Sequence, residues 1–205
     1  MLIDISPTIC SLTAVWPGDT PFSHRFLCRI EEGANIDLST IQTTVHIGAH
    51  CDAPSHYREG LESIEHRSLS LYYGSCQVIT VQVKRNERIY PTDLKQEIMA
   101  PRLLLRTNSF PDPNHFNEDF NALSPELVMF AHQRGVRLIG LDTPSVDLFT
   151  SKKLESHQAI ADRDMAVLEG VVLNEVEDGL YTLIAFPLKI QGADASPVRA
   201  VLLKE

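Results

Sequence analysis

Residues 124–141 read Ser-Pro-Glu-Leu-Val-Met-Phe-Ala-His-Gln-Arg-Gly-Val-Arg-Leu-Ile-Gly-Leu. Ser124 offers a hydroxyl to the free amides of a first helical turn. Pro125 suits the first helical position, where its missing N–H would have no partner anyway, and Gly135 can close the helix in the left-handed region. An apolar run from Val136 to Leu141 follows at once, and a similar run from Arg102 to Thr107 comes before the helix. Strand, helix 124–135 and strand make a β-α-β crossover, the connection that lets two strands of one sheet run parallel.

Outward from this unit, further β-type runs rich in Val, Ile, Leu and Thr occupy Leu2–Ile5, Phe22–Ile30, Ile36–His46, Cys76–Lys84, Tyr181–Ile190 and Val198–Lys204. The early ones read as antiparallel. A second, weaker helix is predicted over Thr92–Met99. The expected class is therefore α/β, a mixed β-sheet core with flanking helices. With 205 residues, 43% of them hydrophobic, the chain can bury a full core, and no repeat, low-complexity tract or linker divides it, so a single domain over 1–205 is expected. The segments Trp16-Pro17-Gly18-Asp19-Thr20-Pro21 and Phe110-Pro111-Asp112-Pro113-Asn114-His115 read as loops that could rim a pocket.

A formal charge of −9 and a pI near 5.3 argue against a nucleic-acid partner or an anionic membrane surface, each of which calls for a basic patch. The N-terminal residues lack the basic and long apolar regions of a signal peptide, and no apolar run is long enough to span a bilayer. A cytoplasmic protein is expected. Cys10, Cys28, Cys51 and Cys76 form no C-x-x-C pair and read as free thiols.

The chemistry is concentrated in His46-Ile-Gly-Ala-His50-Cys-Asp52-Ala-Pro-Ser-His56, with three histidines and one aspartate at even spacing in eleven positions. Imidazole and carboxylate suit divalent ions such as zinc and manganese, and ligands from one short segment leave coordination positions open for water. In a straight strand His46 and His50 would stand about 13 Å apart, too far to share an ion whose bonds are about 2 Å long. The chain must bend, at Gly48 and again at Pro54. A helix would also bring His46 and His50 together, but Thr43-Thr44-Val45 and Gly48 favour a strand end feeding a ligand loop. Cys51, at odd parity, reads as a packing residue, with a thiolate ligand as the alternative. The residues alone support a hydrolytic site with one or two metal ions. Farther on, Glu155, His157, Asp162, Asp164 and Glu169 form a second cluster that on composition reads as a solvated loop or helix face, with a ligand role as the alternative.

The pattern His46-x-Gly-Ala-His50-x-Asp52-x-Pro54-x-His56 closely resembles the signature of the cyclase-like metal-dependent hydrolases, and more narrowly their bacterial kynurenine formamidase branch. The resemblance covers the whole chain: Leu2–Ser6 with Trp16–Asp19, Gly140–Asp147, His157 and Glu169, Pro187-Leu188-Lys189, and Gly192–Arg199 with Asp194-Ala-Ser-Pro197. Ala49 stands where the broader family usually has threonine, and alanine looks like the formamidase variant.

The resemblance implies a cyclase-like, swivelling β/β/α fold and hydrolysis of N-formyl-L-kynurenine to L-kynurenine and formate in tryptophan degradation. It implies two divalent ions per subunit, with Zn2+ as the expected metal and Mn2+ as the alternative. His46, His50 and Asp52 would hold one ion and Asp52, His157 and Glu169 the other, with Asp52 and Glu169 bridging. His56 would be the general acid and base, for which imidazole's unperturbed pKa near 6.5 is suited; a further ligand or a hydrogen-bond donor to a ligand is the alternative. Trp16 is expected as an aromatic wall for a small-molecule aryl formamide, with core packing as its alternative. Relatives of this type imply a homodimer. The rivals are a cyclic-amide or isatin-type hydrolase and a binding protein without turnover. No Gly-x-Ser-x-Gly elbow supports a serine route.

Overall fold

A computed structural model describes residues 1–204. In chain order the elements are β1 (Leu2–Asp4), β2 (Ser23–Cys28), β3 (Leu38–Gln42), β4 (His50–Asp52), β5 (Tyr73–Thr80), β6 (Arg88–Ile89), β7 (Arg102–Arg106), β8 (Ala122–Leu123), α1 (Pro125–Gln133), β9 (Leu138–Leu141), α2 (Glu155–Ala161), β10 (Ala166–Leu168), β11 (Gly179–Ile184), β12 (Ala195–Pro197) and β13 (Val201–Leu203).

The 124–141 stretch folds as its pattern requires. The Ser124 hydroxyl accepts the Leu127 amide hydrogen at 3.0 Å, and Gly135 follows the helix at φ +82°. Strands β7 and β9 are adjacent and parallel, so the crossover is formed. A second crossover through α2 lays β10 parallel to β9. The main sheet has seven strands in the order β1-β13-β11-β5-β7-β9-β10; β5, β7, β9 and β10 run parallel, while β11, β13 and β1 add antiparallel pairings. This is the mixed α/β architecture expected.

Alternation along the central strands splits the core between the two faces. Val78, Leu104, Leu138 and Leu168 pack on one side with Ala49, Cys51 and Ala53 from the β4 region. Ile79, Leu103, Leu105, Ile139 and Val167 pack on the other with Leu127, Val128, Ala131 and Ile160 from the helices. Cys51 is fully buried among apolar groups, as its odd parity suggested, and all four cysteines are free thiols.

Two local expectations are corrected. Thr92–Met99 is not a helix: a single 3-10 turn at Pro91–Asp93 is followed by irregular chain. Leu94 and Ile98 do pack against the core, which explains the helical spacing. The backbone there is claimed by Gln77, whose side chain donates to the Glu97 carbonyl at 3.0 Å and accepts from the Met99 amide at 2.7 Å. The second correction concerns the ligand segment, where the strand follows the bend instead of preceding it. β3 ends at Gln42, Gly48 turns the chain at φ +57°, and β4 begins at His50.

Candidate metal centre

β4 is the spine of the site. His50 and Asp52 share one face of it by strand parity, and both are buried. On one side it pairs antiparallel with β12, setting Ala195 opposite Asp52 and Pro197 opposite His50. On the other, His50 and Glu169 exchange both backbone hydrogen bonds, at 3.1 and 2.9 Å, clipping the residue after β10 to the ligand strand. The clip requires Gly170: a Cβ there, at φ +65°, would lie 2.2 Å from the Gly48 carbonyl oxygen.

Asp52 is placed among three imidazoles and Glu169 between two. Asp52 Oδ1 lies 3.0 Å from His46 Nδ1 and 3.5 Å from His50 Nε2, and its Oδ2 lies 3.4 Å from His157 Nε2. Glu169 Oε2 lies 3.2 Å from His50 Nε2, and its Oε1 3.6 Å from His157 Nε2. His157 reaches this place from α2. The chain thus brings together all five residues expected as ligands, from three separate segments.

The outer nitrogens are tied down. His50 Nδ1 donates to the Gly48 carbonyl at 3.0 Å, and His157 Nδ1 to Asp147 Oδ2 at 2.9 Å. These bonds turn Nε2 of both rings inward. His50 Nε2, His157 Nε2 and both Asp52 oxygens are buried with no hydrogen-bond partner. Four buried polar atoms left unpaired at one spot would be costly without a cation among them, and the donor set of imidazole and carboxylate fits a zinc-class divalent ion. The set His50, Asp52 and Glu169 presents ligand atoms close enough to share one ion, as does His46, Asp52 and His56.

Electrostatics follow the same design. Burial opposes charge on His46, but Asp52 and Asp194 outweigh it and raise its pKa to about 9 in the metal-free protein. Burial likewise works against a charged His157, yet Asp147, Asp52 and Glu169 hold its pKa well above the ordinary histidine value. Asp147 is itself buried, which disfavours its charge, but His157 and Arg88 bring it down to about 2.

Two residues stand at the site with no role drawn from the sequence. Asp147 accepts from the His157 ring and from the Ser156 and His157 amides that open α2. Asp194, just ahead of β12, accepts with one oxygen from His46 Nε2 and His56 Nδ1, each at 3.0 Å. Both belong to the Gly140–Asp147 and Gly192–Arg199 stretches that carried the resemblance, but no spacing rule linked them to the histidines they touch.

His56 closes the 3-10 turn Pro54–His56 at the rim of a cavity of about 480 Å³ whose floor holds the five ligand candidates. The loops after β7, β9 and β10 all reach this cavity, as the carboxyl ends of parallel strands commonly do. Trp16 lines the wall with Phe110 and Phe116, and its ring packs against Phe116 at 5.5 Å and Phe149 at 5.1 Å. It is thus packed on its aromatic neighbours and open to the cavity, 36% exposed. Both loops predicted as rims contribute to the wall.

The family model Cyclase matches residues 3–148. A kynurenine formamidase of Bordetella petrii is 41% identical over 203 residues, spanning 98% of this chain and 97% of that protein. Among solved structures, one described as a potential metal-dependent hydrolase with cyclase activity superposes with TM-score 0.84 at 23% identity, covering 98% of this chain and 96% of its own. Isatin hydrolase A from Labrenzia aggregata superposes with TM-score 0.81 at 19% identity, covering 100% of this chain and 94% of its own.

Proposed function

The chain belongs to the Cyclase family and, within it, to the kynurenine formamidases, and from that premise we propose that it hydrolyses N-formyl-L-kynurenine to L-kynurenine and formate. The observation that carries the reading is the floor of the aromatic-walled cavity, where unpaired imidazole nitrogens and carboxylate oxygens converge. His46, His50 and Asp52 would hold one divalent ion and Asp52, His157 and Glu169 a second, with Zn2+ as first choice and Mn2+ as alternative. In support, Asp52 and Glu169 each turn one oxygen toward His50 and the other toward His157, which would let either carboxylate serve two ions. Such ions supply a water of lowered pKa and Lewis-acid polarisation of the formyl carbonyl.

The protein's own groups do the rest. Trp16 and its phenylalanine neighbours take the aryl ring, where stacking adds about 0.5–1.5 kcal/mol to plain burial. The cavity walls hold the formamide over the floor, so that attack is effectively intramolecular. His56 Nε2 takes the proton released as water adds to the formyl carbon. It returns that proton to the aniline nitrogen as the C–N bond breaks, so the amine leaves neutral.

His56→Ala is expected to keep its metal by elemental analysis and to lose hydrolysis by about 10²–10⁴-fold. Persistence of full activity would exclude His56 as proton carrier. Turnover of isatin but not of N-formyl-L-kynurenine by the metal-loaded protein would replace the substrate proposed here by the cyclic amide.

A cytoplasmic homodimer completes the reading. No helix among the described residues is long and apolar enough to cross a membrane. The β2–β3 arm carries exposed Phe26, Leu27, Leu38 and Ile41 on a two-stranded ribbon, a unit marginal by itself in water, and a second copy would cover it. Sedimentation equilibrium at micromolar concentration should give twice the chain mass; a monomer there rules the dimer out.

A further inference from the structure

Asp194 sits where the β12–β4 pairing begins, and its backbone carbonyl accepts from the Ala53 amide at 2.8 Å. It is therefore anchored on the same strand that carries His50 and Asp52. Its side chain is about half exposed, at 48%, so the hydrophobic core does not need it. One of its oxygens, Oδ2, receives both His46 Nε2 and His56 Nδ1, and the two rings lie 4.2 Å apart.

An ionised carboxylate only accepts hydrogen bonds, so both ring nitrogens that face it must carry hydrogen. For His56 that settles the tautomer of the neutral ring. His46 faces a second carboxylate as well, with Nδ1 3.0 Å from Asp52 Oδ1, so the Asp194 contact fixes hydrogen on its Nε2 and Nδ1 is the nitrogen that would give up its hydrogen to an ion. His56 keeps Nε2, the atom left to exchange a proton with a molecule in the cavity.

We propose that Asp194 is the positioning residue for His56, fixing its ring and its Nδ1–H tautomer, while the same oxygen steadies the outer nitrogen of His46. The assignment rests on the reading of His56 as proton carrier. Asp147 stands to His157 as Asp194 stands to His46 and His56, so the site uses one device twice.

The test is a double-mutant cycle on the zinc-loaded protein with N-formyl-L-kynurenine. Asp194→Ala should lower kcat about 10–100-fold with KM within about twofold, assayed at zinc concentrations that keep both proteins fully loaded by elemental analysis, because the lost His46 contact weakens zinc affinity as well. On the His56→Ala background the same substitution should cost less than about threefold, because its partner is already gone. Histidine 15N spectra should show His56 protonated at Nδ1 in the parent protein and mixed tautomers in Asp194→Ala. Asp194→Asn, which preserves shape, should fold as the parent does and lie between the two in rate.

Equal losses on both backgrounds would overturn the proposal, as would an unchanged His56 spectrum. Recovery of the parent kcat by Asp194→Ala once excess zinc refills the site would place the residue's role on His46 alone and overturn it too. If His56→Ala keeps full activity, the proton-carrier reading fails and the proposal with it. If His56→Ala is inactive while Asp194→Ala is not, the proposal alone fails.

Discussion

Three imidazoles at the floor of the cavity are each held by a different acceptor: a peptide carbonyl for His50, Asp147 for His157 and Asp194 for His46. Removing such a holder commonly weakens metal binding by about 10–100-fold. Asp147→Ala should do so, read by competition with a chromophoric chelator, while leaving the fold's far-ultraviolet signal in place. Charge gives a second prediction. In metal-free protein the folded pKa of His46, about 9, lies above its ordinary 6.5. The stabilisation is thus fully present below the ordinary value and is lost as pH rises through the folded one. Urea midpoints of chelator-treated protein should fall between pH 6.5 and 9, by a contribution on the order of 3 kcal/mol, and metal-loaded protein should show a much smaller slope. Residue type and even spacing make His46, His50, Asp52 and His56 legible as candidate ligands in the sequence alone, and only the family resemblance sets His56 apart. Asp147 and Asp194 are not legible in that way, because a carboxylate that orients an imidazole bears no fixed sequence distance to it; here the intervals are ten residues to His157 and far longer to His46.

At the level of elements, local chemistry was readable wherever it was local. Ser124→Ala should cost about 1 kcal/mol in thermal or urea unfolding, because the hydroxyl satisfies the Leu127 amide. The helix α2 left no such mark. Its N-cap position is Leu154 at φ +49° with no capping side chain, and its first amides are met instead by Asp147 from the preceding loop. Strands β4 and β12 are three residues each, too short for alternation to register. The Thr92–Met99 segment misled for the opposite reason: its apolar spacing was real, but Gln77 captured the backbone that a helix would have used.

Across the whole molecule, candidate ligands distant in sequence meet because the parallel half of the sheet delivers its loops to one end while β4 crosses that end between β12 and Glu169. Gly170→Ala attacks this junction directly and should destabilise the protein by at least about 2 kcal/mol while lowering its metal content, measured by urea unfolding and elemental analysis. The paired bonds between the His50 and Glu169 amides have one more consequence. For either amide to trade its hydrogen with heavy water, β4 must part from the end of β10, and that parting would also separate two of the proposed ligands. Deuterium uptake at these two positions is therefore a clock for metal release. Zinc at 100 times its dissociation constant contributes about 2.7 kcal/mol to the closed state and should slow the clock about 100-fold, leaving amides of the β2–β3 arm ticking at their former rate.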